Sequence, residues 1–213
     1  MNSPVTLDAL DLAALLCSRV CHDVISPVGA IVNGLEVLEE EKDEALKRSA
    51  FDLIRKSASQ ASARLQFCRL AFGAAGSAGA KLDLGDAETV ARGMLQDDRL
   101  KLAWNLPSAL LPKNRVKLLL NLLLVAMAAI PRGGTLKVDP VGEGDGMGFR
   151  LTAMGTNAKV PPAMSGLLSG TPAASVDAHA IQPYYAGLLA RSAGLDVSIA
   201  GEGESVVLTA ARA

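Results

Sequence analysis

Aromatic residues are scarce in this chain. Only 3% of its 213 residues are Phe, Trp or Tyr, although half are hydrophobic. A core of useful size must therefore be built from Leu, Val, Ile and Ala. The length suffices for one large domain or two small ones.

An excess of charge of one sign is also lacking. The chain has 21 basic and 22 acidic residues and a net charge of −1. A general nucleic-acid-binding protein would show a basic excess, so we expect no nucleic-acid partner.

Cysteines are few, and their number is odd. Cys17, Cys21 and Cys68 lie within helical patterns. This usage favours reduced thiols in a cytoplasmic protein over a disulfide framework. Zinc held by Cys17, Cys21 and His22 is disfavoured, because no further pair of ligands follows.

The most apolar run of the chain is short. The most apolar run, Leu118 to Ile130, contains Asn121 and is shorter than a membrane span. The sequence does not open with a signal-peptide pattern. We therefore expect a soluble, cytoplasmic protein with no membrane partner.

One of the chain's two histidines lies in a strongly amphipathic segment. His22 lies two residues from both Val20 and Val24, on the opposite side of the predicted helix from its apolar stripe. That stripe comprises Leu12, Leu16, Val20, Val24, Val28, Ile31, Leu35 and Leu38. A histidine on the solvent side does not fill a core; the alternative is a surface histidine without a role.

Residues 22–28 read His-Asp-Val-Ile-Ser-Pro-Val. This pattern resembles the phosphoacceptor box of two-component histidine kinases and of dimeric histidine phosphotransferases. The resemblance implies that His22 accepts a phosphoryl group, with Nε2 as the attacking atom, and that Asp23 orients or polarises its ring. A solvated acid without a role is the alternative for Asp23.

Two long helices are predicted in the first third of the chain. The first begins near Ser3-Pro4 or Thr6 and runs to about Glu41, and the second runs from about Asp43 to Phe72. Joined by a tight turn, they form an antiparallel hairpin that cannot cover an apolar stripe on each helix. We therefore predict a homodimeric four-helix bundle through residues 1–75. The alternative is that the C-terminal half covers the hairpin.

Residues 73–80 have the composition of a linker, and a second domain is predicted over residues 82–213. Helices are predicted over residues 86–100, 113–130 and 183–193, and strands over 102–106, 135–138, 148–154, 196–200 and 205–210. Residues 155–176 read as irregular. Helices on one side of a mixed sheet make an α/β sandwich, so the whole chain is of the α+β class.

The region around Asn121 resembles the N box of histidine-kinase ATP-binding domains. The matching residues are Asn121, Ala126, Pro131, Gly133 and Gly134. The positions that bind MgATP in those domains differ: Val125, Ala128, Gly155, Asn157 and Lys159 stand there, and Ile181–Leu188 replaces the glycine-rich lid. Valine and alanine cannot ligate a hard cation.

Together, the two parts resemble the ChpT-type family of dimeric histidine phosphotransferases, whose second domain is a degenerate kinase ATP-binding domain. The resemblance implies a phosphorelay protein that takes a phosphoryl group from the receiver domain of a hybrid kinase and passes it to response regulators. It implies no cofactor of the chain's own and a magnesium ion supplied by the receiver. Two rival hypotheses are an ATP-dependent histidine kinase with an atypical nucleotide site and a non-catalytic dimeric adaptor for receivers.

A receiver that reaches His22 must dock on the same side of the helix. The predicted docking face comprises Arg19, Ile25, Ser26, Gly29, Val32 and Asn33, with Arg64 and Arg69 of the second helix at its rim. The other histidine, His179, lies in a polar loop, and no role is assigned to it.

Overall fold

The computed structural model describes residues 6–73, 79–172 and 175–212. The predicted cap at Ser3-Pro4 and residues 74–78 of the predicted linker lie outside them. Six helices and seven strands are described, with one further 3-10 turn at Gly144–Gly146. The fold is α+β, with an N-terminal helical hairpin and a C-terminal α/β sandwich, as predicted.

The hairpin consists of α1, Ala9–Glu40, and α2, Glu44–Ala71. Asp8 caps α1, because its side chain accepts hydrogen bonds from the amides of Leu10 and Asp11, and Asp43 caps α2 in the same way. The first helix therefore begins later than predicted, while the second matches its prediction within a residue.

The hairpin buries small residues between its helices and leaves large ones exposed. Pro27 and Gly34 of α1 are buried, as are Ala50, Ser57 and Ala61 of α2. The large apolar side chains left exposed are Leu10, Ile25, Val28, Val32, Leu35, Val37, Leu46, Phe51, Leu53 and Leu65. Ile25, Val28, Val32 and Leu35 recur every three or four residues, so they form one face along α1.

The C-terminal domain has a five-stranded sheet of order β2-β4-β5-β7-β6. Only β2 and β4 are parallel to each other; the other neighbours are antiparallel. The strands of this sheet are β2 Leu100–Trp104, β4 Gly134–Val141, β5 Gly148–Met154, β6 Asp196–Glu202 and β7 Ser205–Ala211. A separate two-stranded sheet pairs β1, Lys81–Asp83, with β3, Leu110–Pro112.

Four helices complete this domain: α3 Leu84–Leu95, α4 Lys113–Ala128, α5 Met164–Ser169 and α6 Ile181–Ala193. Every residue of α4 from Arg115 to Ala126 is buried, so this helix is the centre of the core. The helix predicted over 86–100 ends at Leu95 instead, because the Asp97 side chain accepts hydrogen bonds from the amides of Arg99 and Leu100 and turns the chain into β2. The sequence analysis missed α5, β1 and β3.

The C-terminal domain covers the open end of the hairpin, where α1 begins and α2 ends. Phe67 and Ala71 at the end of α2 belong to the main core. A second apolar cluster joins the start of α1 to α6: its members are Leu7, Leu12, Leu15, Leu16, Leu167, Val176, Ile181, Tyr184 and Leu188, with Ala180. The alternative prediction, that the C-terminal half covers the hairpin, thus holds for this end but not for Ile25 to Leu35.

By length and composition, α1 is the one helix in the described ranges that is long and apolar enough to cross a membrane. This is weak evidence, because a partly covered helix of a soluble protein passes the same test. The helix also carries the buried, ion-paired Asp23 halfway along its length.

Candidate functional site around His22

The His22 side chain is 74% exposed near the middle of α1. Its Nδ1 lies 3.6 Å from Oδ1 of Asp23, longer than a direct hydrogen bond. Nδ1 is the ring nitrogen that faces Asp23.

Asp23 is buried, and its second oxygen has a cationic partner. Nε of Arg19 donates a hydrogen bond to Oδ2 of Asp23 at 3.0 Å, one helical turn away. A buried carboxylate needs such a partner, because burial disfavours its charged form. Arg19 thus fixes Asp23, which in turn lies beside the His22 ring.

A proline shapes the helix beneath His22. Pro27 has no amide hydrogen, so the backbone carbonyl of Asp23 loses its normal partner within the helix. The half-buried Arg64 of α2 donates a hydrogen bond from Nη1 to this carbonyl oxygen. Arg64 therefore links the two helices directly at the His22 turn.

The two arginines predicted at the rim of the docking face, Arg64 and Arg69, have different surroundings. The guanidinium of Arg64 is directed at the backbone of α1, whereas Arg69, near the end of α2, is exposed. The sequence could not indicate this contact, which depends on how α2 packs against the carbonyl that Pro27 leaves free.

A buried thiol completes the layer under the site. Burial, with a smaller effect of the nearby Asp23 charge, raises the pKa of Cys68 to about 11. Cys68 is therefore a neutral packing group at physiological pH.

The predicted docking residues on α1 lie at the surface. Ile25, Ser26, Val32 and Asn33 are exposed. No described atom beyond the helix's own backbone and the adjoining residues lies within 4 Å of the place where a Cβ on Gly29 would be. A partner surface could therefore approach this part of α1 closely.

The second histidine lies beside the first. The ring centroids of His22 and His179 are 6.4 Å apart, and the ring planes are inclined by 77°. His179 is carried by the turn just before α6. Nothing in the spacing of two residues so far apart in the chain could have predicted this contact.

A cavity of about 740 Å³ is lined by His179, the ring that contacts His22. Its lining includes Arg19, Arg64, His179, Val125 and Ala128. Two carboxylates, those of Asp97 and Asp177, also line it, but each accepts hydrogen bonds from two backbone amides.

The residues at the positions that bind MgATP in kinase domains do not fit a magnesium-bound nucleotide. Val125 is buried and offers no ligand atom. A Cβ on Gly155 would lie 2.4 Å from the carbonyl oxygen of Gly133, so a carboxylate cannot be placed there without moving the backbone. The side-chain nitrogen of Asn121 donates to the carbonyl oxygens of Ala71 and Lys117, and Oδ1 is buried without a partner among the described atoms.

Comparisons with known proteins agree with this arrangement. Residues 84–205 match the family model described as the histidine phosphotransferase C-terminal domain. The chain is 52% identical over 211 residues to the protein phosphotransferase ChpT of Brucella abortus (strain 2308), covering 99% of this chain and all of that one. A solved structure of a bacterial phosphotransferase is 50% identical, with a TM-score of 0.89, and covers 98% of this chain and all of that one.

The structure has two parts. One is a helical hairpin with an exposed histidine next to a buried, arginine-bound aspartate, and the other is a mixed α/β sandwich. This is the architecture that the sequence patterns predicted. The chain belongs to the histidine phosphotransferase family.

Proposed function

We propose that this protein is a histidine phosphotransferase of a two-component phosphorelay and that it carries the phosphoryl group on His22. The observation that carries the proposal is the exposed His22 ring with Nδ1 towards Asp23, in a chain that is 52% identical to a protein phosphotransferase. Neutral imidazole is a good nucleophile near neutral pH and leaves readily from phosphorus.

The proposed step needs no proton transfer. With a proton on Nδ1, facing Asp23, the Nε2 lone pair attacks the phosphorus of an aspartyl phosphate in the partner receiver. The bond between phosphorus and the receiver carboxylate breaks as the bond between Nε2 and phosphorus forms. The carboxylate leaves as an anion, and the positive charge of the phosphoimidazole is stabilised by Asp23. The reverse step passes the group to another receiver.

The partners proposed are the receiver domain of a hybrid histidine kinase and downstream response regulators. They would dock on the surface formed by Ile25, Ser26, Gly29, Val32 and Asn33, with Arg19 beside His22 and with Arg64 and Arg69 on the α2 side. The exposure of the α1 residues supports this proposal. The receiver would supply the magnesium ion, and the protein would use no cofactor or ATP of its own.

A homodimer is part of the proposal. The exposed Val28 and Leu35 of α1 and Leu46 and Leu53 of α2 support it, because exposed apolar side chains one heptad apart favour contact with another apolar surface. The hairpin of a second copy of this chain would present the same apolar face. A cytoplasmic location, without nucleic-acid or membrane partners, fits the nearly balanced charge and the reduced cysteines.

One experiment separates this function from the two rivals. The full-length protein is incubated with ATP labelled in its γ-phosphate and, separately, with a receiver domain carrying labelled aspartyl phosphate. A phosphotransferase takes label only from the receiver. Label taken directly from ATP would indicate a histidine kinase, and label from neither source an adaptor; both results would contradict the proposal.

A further inference from the structure

The proposed phosphoryl transfer gives no role to His179, yet the fold brings the chain's two histidines together. Their rings meet edge to face, with centroids 6.4 Å apart. Both residues are exposed, so neither ring is there to fill the core. Their contact joins the proposed phosphoacceptor to the C-terminal domain.

The turn that carries His179 is fixed by its own hydrogen bonds. Oδ1 of Asp177 accepts a hydrogen bond from the amide of His179 at 2.9 Å and another from Ala180 at 2.8 Å. The carbonyl oxygen of Asp177 accepts a third, from the amide of Ile181, at 2.9 Å. His179 is thus held at the start of α6.

The start of α6 is in turn attached to α1. The Tyr184 hydroxyl accepts a hydrogen bond from the amide of Leu7 at 3.2 Å. Tyr184 and Ile181 are fully buried in the apolar cluster that includes Leu12 and Leu16, the latter six residues before His22. These buried contacts therefore fix the backbone that carries His179 relative to the helix that carries His22.

The surroundings of His179 suit an anion. Arg19, Arg64 and His179 line one cavity, and His179 contacts His22. Asp177 also lines it, but its Oδ1 accepts hydrogen bonds from two backbone amides. A phosphoryl group on Nε2 of His22 adds two negative charges at this place. An imidazole N–H donates hydrogen bonds in either protonation state, and bonds to charged oxygens are the stronger kind.

From this geometry we infer that His179 donates a hydrogen bond to the phosphoryl group carried by His22. The C-terminal domain, which has lost the residues that would bind a nucleotide, would then hold the phosphohistidine and shield it from water. This inference rests on the proposed function, since it requires a phosphoryl group on His22.

The test measures the lifetime of phosphohistidine in the full-length protein. Phosphoramidate, a small donor that phosphorylates imidazole, loads the protein, and the donor is then removed. Phosphorus NMR follows each phosphohistidine resonance, and the resonance missing from His22→Ala is assigned to phospho-His22. The variants are His179→Ala, His179→Phe and His179→Gln, with Ser175→Ala as the control at an exposed residue of the same loop.

Loss of a hydrogen bond to a charged group should shorten the lifetime of phospho-His22 roughly fivefold to tenfold in His179→Ala and His179→Phe. In His179→Gln, whose amide can donate, the lifetime should lie between these values and that of the wild type. The phosphorus resonance should shift in the Phe variant, and Ser175→Ala should match the wild type. A role in ring packing alone would leave His179→Phe unchanged.

A phospho-His22 lifetime in His179→Phe that stays within about twofold of the wild type would overturn the inference and leave the proposed function intact. If His22→Ala shows the same resonances as the wild type, His22 is not the acceptor and the proposed function itself fails. The two failures are therefore distinguishable.

Discussion

Helix α4 and helix α1 are built from similar apolar residues, but their surroundings differ completely. Leu118, Leu119 and Leu120 of α4 are fully buried, whereas Ile25 of α1 is 70% exposed and Val32 49%. The sheet, the other helices of the C-terminal domain and the end of α2 together cover α4. The hairpin lacks a partner for one face, and the same helix displays His22. This difference supports the proposal that the hairpin is the part of the molecule that contacts other proteins.

Charged substitutions on the exposed apolar face of α1 should have the largest effect. Val28→Glu combined with Leu35→Glu should dissociate the proposed dimer, because burying each apolar side chain contributes about 1.5–3 kcal/mol and burying an unpaired charge is costly. Light scattering should give the mass of one 22.0 kDa chain in place of two. Asn33→Glu, on the His22 side of the helix, is the control and should stay dimeric. A dimeric double variant would contradict the role of this face.

A bulky charge on the docking face should act on transfer rather than on folding. Gly29→Arg fits the free chain, since the site of its Cβ is open, but it would exclude a receiver from His22. We expect the rate of transfer from a phosphorylated receiver to fall by about a hundredfold or more, because small displacements of the reacting groups are costly. Glu40→Arg, at the far end of α1, should change it little.

Circular dichroism of both variants would confirm that helix content is unchanged. Transfer by Gly29→Arg at the wild-type rate would mean that the receiver docks elsewhere.

Two glycines of α1 distinguish its buried face from its exposed face. A Cβ on Gly34 would lie 2.6 Å from Cγ1 of Ile54 and 3.3 Å from the carbonyl oxygen of Ala50. Gly34→Ala should therefore reduce the free energy of unfolding by about 1–3 kcal/mol through overpacking. Gly29→Ala should raise it by about 0.5–1 kcal/mol, because alanine favours the helix and nothing obstructs it. Urea denaturation of both variants tests this, and effects of the same sign would contradict the packing described.

The smallest expected effect concerns nucleotide binding by the C-terminal domain. Calorimetry with MgATP at millimolar concentration should give no saturable heat, because Val125 and Gly155 offer no ligand for magnesium or adenine. Val125→Asn should not restore binding, since the backbone leaves no space for a side chain at Gly155. A micromolar dissociation constant for the wild type would contradict this interpretation of the cavity.

Much of the fold could be predicted from local signals. The hairpin followed from apolar periodicity and the charged turn, and Gly194 ends α6 in a left-handed conformation as expected. The strands β1 and β3 were missed because each has three residues and exists only through pairing with the other, such as Lys81 with Pro112. Helix α5 was missed because it is short and lies in a segment rich in Gly and Pro.

The candidate site also contains residues that the sequence could indicate and residues that it could not. His22, Asp23 and Arg19 are neighbours on one helix, so the sequence pattern was enough to propose them. Arg64 and His179 reach the site from α2 and from the turn before α6. Their contributions depend on tertiary packing, which no local pattern encodes.

The most direct test of the account is phosphoryl transfer to His22→Ala from a receiver domain that carries labelled aspartyl phosphate. We expect His22→Ala to take up no label, with its helix content and dimer mass unchanged. His179→Ala should still take up label. Undiminished uptake by His22→Ala would show that another residue accepts the phosphoryl group and would contradict the central claim.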